Sequence, residues 1–321
     1  MELCIVKNGT KISKRKKSFY IDDMERELQL SAEKIDSIIL EGEVSLTSGA
    51  IRLATENEIP IVICDKYGNV IGQFFSSISN RNGKLRKNQY QFFASEKGLE
   101  LAKSWLIDKI SKQKEHIDTL LKRRKRNLDQ VSNFDIYIKK IQQIKKYNPK
   151  ARMIIMGYEG MASRLYFKII SELLEEKWRF YNREHRKAKE PYNIVLNYLF
   201  GILYRKLESI FLYEGFDLTV GIIHFEGNKK LPLVYDYIEK YRYLAYDTVF
   251  DLFHKKIIKN DFFEIENESL IMSKRGKYEV SLYFNELLEK KEIYSKNKFS
   301  KEDIIKYEIK KIKKEIMEMV V

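Results

Sequence analysis

Four side chains stand out as groups that could do chemistry. In GIIHFEGNKKLPLVYDYIEKYR, residues 221–242, His224 follows an apolar run, and Asp236 and Glu239 come twelve and fifteen residues later. The two acids are three apart, which places them on one face of a helix. A neutral imidazole with carboxylates is a ligand set for a divalent metal, and such ions act on phosphates. The fourth is Glu159, between two glycines in Met156-Gly157-Tyr158-Glu159-Gly160. Glycines there let a backbone or a ligand come close.

Each of these residues also has a plainer reading. A lone histidine after an apolar run serves as a satisfied structural residue, and acids three apart make a solvated face. A glutamate near a helix start suits the macrodipole. The surroundings of Asp236 and Glu239 weigh against the plain reading. Leu233-Val234-Tyr235 precedes the first and Ile238 sits between them. Carboxylates among large apolar residues carry a desolvation cost unless a cation is near.

Charge points to the substrate class. The 321 residues carry a net charge of +14, and it is unevenly spread. Residues 1–80 hold 10 Lys/Arg and 12 Asp/Glu, whereas residues 81–150 hold 19 and 7. That basic span includes Lys122-Arg123-Arg124-Lys125-Arg126. A localised cation field attracts polyanions, and phosphate contacts dominate nucleic-acid affinity. The alternative is a solvated face of a lysine-rich protein. No apolar run reaches the roughly 18 residues of a membrane span. The opening MELCIVKNGTKISKRKK has its basic cluster after the apolar segment, the wrong order for a secretory signal. Two cysteines, Cys4 and Cys64, make neither a disulfide framework nor a metal site, so a cytoplasmic protein is expected.

The elements that must position these groups fall into two parts. Residues 1–75 read as strands with one helix, a small β-rich domain. Strands are expected at Met1–Val6, Ser18–Ile21 after a basic turn, Ile35–Leu40, Ile59–Cys64 and Val70–Phe75, the last two joined by a turn at 65–69. Ser45–Glu56 reads as a helix capped by Ser45 or Thr47. Residues 76–96 read as a linker. From 97 to 321 the pattern is helical. Leu101, Trp105, Ile107, Ile110 and Ile117 recur at helical spacing, as do Ile136, Ile138, Ile141 and Ile144 before Asn148-Pro149. Further helices are expected at Met153–Leu174, Tyr192–Leu212, Leu231–Phe253 and Asp303–Met319. The fold class is therefore α+β, a small N-terminal β-rich domain followed by a larger, mainly α-helical catalytic domain.

Three blocks resemble a known family, the CRISPR-associated integrase of the spacer-acquisition step. Residues 35–74, IDSIILEGEVSLTSGAIRLATENEIPIVICDKYGNVIGQF, are similar to its N-terminal β-domain. MGYEGMASRLYF at 156–167 is similar to its Gly-x-Glu-Gly signature. PYNIVLNYLFGILYRKLESIFLYEGFDLTVGIIH at 191–224, with LPLVYDYIEKYR at 231–242, resembles its Asn-containing helix, Gly-Phe-Asp turn, metal histidine and Asp-x-x-Glu block. Each motif alone is short; their order and spacing make the match specific. The resemblance implies Glu159, His224 and Glu239 as ligands of Mg²⁺ or Mn²⁺, with Asp236 the supporting acid among the catalytic residues. It implies insertion of spacer DNA into the repeat array by 3′-hydroxyl attack on a phosphodiester. It also implies a homodimer through the β-domain and a small ferredoxin-fold partner. One departure is visible: members often carry an acid two residues before the helix asparagine, and here the sequence is Glu190-Pro191-Tyr192-Asn193. Candidate DNA contacts are Arg164, Lys122, Arg123, Arg124, Arg126 and Arg242, the last also placed to pair with Glu239. A metal-dependent nuclease of repair or recombination, without integrase activity, uses the same ligand chemistry and remains the alternative.

Overall fold

The computed structural model describes residues 1–65, 70–74, 83–146, 149–185, 188–224, 231–294 and 297–318. The chain divides into two compact units, Met1–Asn82 and Gly83–Val321. The first is β-rich and the second mainly helical.

The N-terminal unit holds strands β1 (Glu2–Ile5), β2 (Lys11–Arg15), β3 (Ser18–Asp22), β4 (Glu27–Ser31), β5 (Ser37–Leu40), β6 (Ser45–Leu46), β7 (Ile61–Cys64) and β8 (Val70–Phe74), with helix α1 (Ser48–Glu56). One sheet has the order β1-β5-β7-β8, and the other β4-β3-β2-β6. β5 is central and buried at every position, which is why it reads as an unbroken apolar run. β3 alternates instead, turning Phe19 and Ile21 into the core. Thr47, not Ser45, caps α1: its hydroxyl accepts from Ala50 N–H at 3.2 Å. The stretch expected as a basic turn is strand β2, paired with β3 through a tight turn at Lys16, whose φ is 57°. Its one core residue is Ile12, so KISKR shows no alternation to read. Residues 66–69 of the expected turn, Phe75 of the expected strand and residues 76–82 of the expected linker lie outside the described residues.

The helical unit runs through α2 (Gly83–Phe93), α3 (Glu96–Arg123), α4 (Asn133–Gln142), α5 (Pro149–Leu173), α6 (Pro191–Glu214), α7 (Pro232–Ile238) and α8 (Arg242–His254). Then come hairpin β9 (Phe263–Glu266) and β10 (Ser269–Met272), α9 (Lys274–Glu289), hairpin β11 (Glu292–Tyr294) and β12 (Asn297–Phe299), and α10 (Lys301–Met317). One apolar core joins these helices. The linker expectation fails from Gly83 onward. α2 buries Leu85, Phe92 and Phe93, but Asn88 and Gln89 are buried between them, so the helix lacks an apolar period. Pro149 opens α5 instead of ending the helix before it, since a proline at a first helical position loses no hydrogen bond. α6 is buried nearly all round and ends at Gly215, whose φ of 87° supplies the left-handed cap. α10 carries a capping box, Ser300 with Asp303, and buries Ile305, Ile309, Ile312 and Ile316 as one stripe.

The expected helix Leu231–Phe253 is broken. Glu239–Tyr241 forms a 3-10 turn between α7 and α8, with no glycine or proline to announce it. Its anchors are tertiary: Glu239 reaches Lys109 on α3, and Tyr241 donates to Glu308 on α10.

Candidate active site

Glu159 and Glu239 converge on one buried cation. Lys109 of α3 is 3% exposed, and its ammonium binds Glu159 Oε1 and sits 2.7 Å from Glu239 Oε2. Lys109 lies on the buried stripe of α3 with Ala102, Leu106, Gln113 and Ile117. A lysine at a core position was the legible but unread signal. The second oxygen of Glu239 accepts from Arg242 Nε at 2.9 Å. Arg242 in turn donates to Tyr204 at 3.3 Å and lies 4.7 Å from the centre of the Phe200 ring. Ser163, one turn along α5, donates to Glu159 Oε1 at 2.8 Å. Burial raises the proton affinity of Glu159, but the Lys109 ammonium outweighs it and lowers the carboxyl to about 2. Burial likewise works against the Lys109 charge, and Glu159 and Glu239 reverse that, holding it above an ordinary lysine. The Glu239 Oε2 contact with Lys109 is an ion pair without hydrogen-bond alignment. Its 2.7 Å separation between opposite charges decides its electrostatics.

His224 and Asp236 form a second unit. Asp236 is 3% exposed, and its carboxylate accepts the backbone N–H groups of Ile222, Ile223 and His224. It also takes His224 Nδ1 at 2.6 Å. The segment before His224 comes close enough for this because Gly221 has no side chain. A Cβ there would stand 2.6 Å from Pro232 and 2.8 Å from Asp236. Burial lowers the imidazole's proton affinity, but the hydrogen bond and charge of Asp236 more than offset it, so the His224 pKa is raised. With Nδ1 engaged, Nε2 is the nitrogen left for a ligand, the usual arrangement of a carboxylate-oriented metal histidine. Both Asp236 oxygens are committed to these donors, a geometry that suits the supporting role expected of it behind His224. Replacing Asp236 with asparagine is expected to weaken Mn²⁺ binding about 10- to 100-fold. Calorimetric titration of the variant measures this, and an unchanged affinity would refute the orienting role.

The two acids three apart therefore have different partners: Asp236 holds the His224 backbone, and Glu239 holds Lys109. Among the described residues, no three His, Cys, Asp or Glu side chains are gathered closely enough to hold an ion as they stand. The donor chemistry nevertheless fits a divalent cation. Two carboxylates already face the Lys109 ammonium, and the His224 imidazole, which feels the Glu239 charge, has its Nδ1 engaged by Asp236.

The candidate DNA contacts separate. Lys122, Arg123 and Arg126 are exposed at the end of α3. Arg124 is not free: it donates to Leu173 O at 3.0 Å, closing the end of α5, and burial lowers its pKa. Arg242 is an internal partner of Glu239 rather than a surface contact. Arg164 is exposed, and five residues from Glu159 turns it about 140° around the helix, away from the face carrying that acid. At the departure noted above, Glu190 Oε2 accepts from Asn193 Nδ2 at 3.2 Å, so an acid still serves this asparagine from three residues before it.

Among the described residues no helix is long and apolar enough to cross a membrane. The fold matches a Cas1 protein from Thermotoga maritima with a TM-score of 0.84 and 20% identity, covering 100% of this chain and 98% of that one. It also matches a casposase bound to its integration product, with a TM-score of 0.86 and 22% identity over 98% of this chain and 90% of the other. The CRISPR-associated protein Cas1 3 of Methanobrevibacter ruminantium is 33% identical over 285 residues, 86% of this chain and 84% of that protein. The profile of the CRISPR associated protein Cas1 family matches residues 3–286, nearly the whole span that carries these acids and their helices, and the chain belongs to that family.

Proposed function

We propose that this chain is the integrase of CRISPR adaptation, a metal-dependent DNA endonuclease and strand transferase. It joins spacer DNA to the repeat array by attack of a DNA 3′-hydroxyl on a phosphodiester. The observation that carries the reading is the convergence of Glu159 and Glu239 on one cation, beside a histidine already oriented by Asp236. Glu159, Glu239 and His224 would hold Mg²⁺ or Mn²⁺. Such an ion supplies Lewis acidity toward the scissile phosphate and stabilises charge on the attacking and leaving oxygens. Lys109 balances the charge of both carboxylates in the absence of an ion. Asp236 holds the imidazole with Nε2 outward, and Arg242 keeps Glu239 in place.

The exposed Lys122, Arg123 and Arg126 contact the duplex backbone, which positions DNA without reading its sequence. Duplex DNA, a second copy of the chain through the β-rich unit and a small ferredoxin-fold protein are the partners. The near-neutral charge of residues 1–80 suits self-association, since a strongly charged patch repels its copy.

The test is a strand-transfer assay with 3′-hydroxyl DNA, a repeat-containing target, Mn²⁺ and the small partner. Joined product is expected from the native chain and none from His224→Ala. Cleavage without joining, with the partner present, would instead identify a nuclease of repair or recombination.

A further inference from the structure

α3 and α5 meet through three polar pairs, each fifty residues apart in sequence. Lys109 pairs with Glu159, Gln113 with Ser163 at 3.5 Å, and His116 with Tyr166 at 2.8 Å. The pairs advance together, so the two helices run parallel here in one register. The last pair extends to a third helix, since His116 Nδ1 also lies 3.2 Å from Asp247 of α8. Gln113 and Tyr166 are fully buried. Apolar residues surround them, among them Ile110, Ile117, Ala162 and Ile170.

Nothing in the chemistry of the two acids uses the lower pairs, and they are costly. Gln113 Oε1 is buried with no hydrogen-bond partner among the described residues. An apolar residue of similar volume would carry no such cost. What polar pairs supply is register. Two apolar stripes match again after a slip of one turn, about 5.4 Å. A slip of four residues here would set Lys109 against Ser163 and Gln113 against Phe167, stranding a buried charge. Fixing register is the best-attested use of buried polar groups between helices.

We propose that Gln113–Ser163 and His116–Tyr166 are positioning pairs that hold α5 at the height where Glu159 meets Glu239. His116 carries the same register to α8, which follows directly from the Glu239–Tyr241 turn. Ser163 is the direct link, because the hydroxyl that Gln113 reaches is the one that donates to Glu159. The inference rests on the proposed role of Glu159 and Glu239 as ion-binding acids.

The test uses the full-length chain with Gln113→Leu and, separately, Tyr166→Phe, both of which keep side-chain bulk. Five quantities are measured: melting temperature, Mn²⁺ affinity by calorimetry, kcat and KM of strand transfer, and an α3–α5 distance. Spin labels at Glu115 and Lys168 report that distance, with Cys4 and Cys64 changed to alanine. Gln113→Leu is expected to melt at or above the native temperature while Mn²⁺ binding weakens about 10-fold. Its kcat falls by a similar factor, KM for DNA is kept, and the distance distribution broadens. Tyr166→Phe, which loses only a hydroxyl, is expected to give the same pattern and keeps the test open should Gln113→Leu not fold. An unchanged distance distribution with native Mn²⁺ affinity overturns the proposal, as does a drop in melting temperature alone. A native chain that binds no Mn²⁺ refutes the ion-binding reading instead, and a broadened distance in Gln113→Leu would still support the register device.

Discussion

Replacing Lys109 with methionine lowers the stability of the metal-free protein by about 3–5 kcal/mol, and Mn²⁺ restores most of it. The substitution keeps the aliphatic volume and removes the charge. It leaves Glu159 and the 4%-exposed Glu239 facing each other, with Arg242 paired to Glu239 and the Ser163 hydroxyl to Glu159. Removing one partner of a buried ion pair is far more damaging than replacing both, because the remaining charge keeps its desolvation cost. A divalent ion binding the folded state only is linked to stability by mass action, so the deficit shrinks as Mn²⁺ is added. The pH dependence has a definite sign. In the native chain the Glu159 pKa is lowered from 4.5 to about 2. Its contribution to stability is therefore complete above about pH 4.5 and lost as pH falls through about 2. In Lys109→Met the two carboxylates repel, and protonating one of them relieves the strain. The gap between variant and native chain therefore narrows on acidification through the carboxylate range. Denaturant titrations at neutral and mildly acid pH, with and without Mn²⁺, measure all three effects. A deficit under about 1 kcal/mol that ignores Mn²⁺ would show that the acids are not a charge-balanced ion site.

Glu159→Gln and Glu239→Gln each lower the strand-transfer rate by about 1,000-fold or more, a loss of about 4 kcal/mol of transition-state stabilisation. The amide keeps the shape of the side chain and part of its hydrogen bonding, so the fold is retained. What disappears is one of the two negative charges that would draw a divalent ion into the site. DNA affinity at low salt stays near native, because the exposed Lys122, Arg123 and Arg126 are untouched and phosphate neutralisation sets that affinity. Single-turnover kinetics alongside fluorescence binding separate the two quantities. A rate within tenfold of the native chain for both variants would remove Glu159 and Glu239 from the reaction.

Much of the architecture was legible because it is local. β5 and β7 show as apolar runs, α6 as a long apolar segment, and the α10 stripe as alternating spacings of three and four. Where the linear pattern is silent, the reading failed. β2 has one core residue, α2 hides its burial in Asn88 and Gln89, and the Glu239–Tyr241 turn has no breaker residue. β2 is made by its hairpin pairing with β3, and α2 and the turn by partners distant in sequence.

The candidate site divides the same way. Which acids and which histidine are available, and where the excess positive charge lies, can be read directly from the order of residues. These depend on composition, and the elements on periods of two and 3.6 residues, which need no knowledge of neighbours. Tertiary contacts set the rest: Lys109, 50 residues before Glu159, stands between the two acids, Asp236 serves the His224 backbone, Arg242 is engaged by Glu239, and Arg124 by Leu173 O. Periodicity tells which face of a helix is buried. What that face meets is set by the register in which the helices pack.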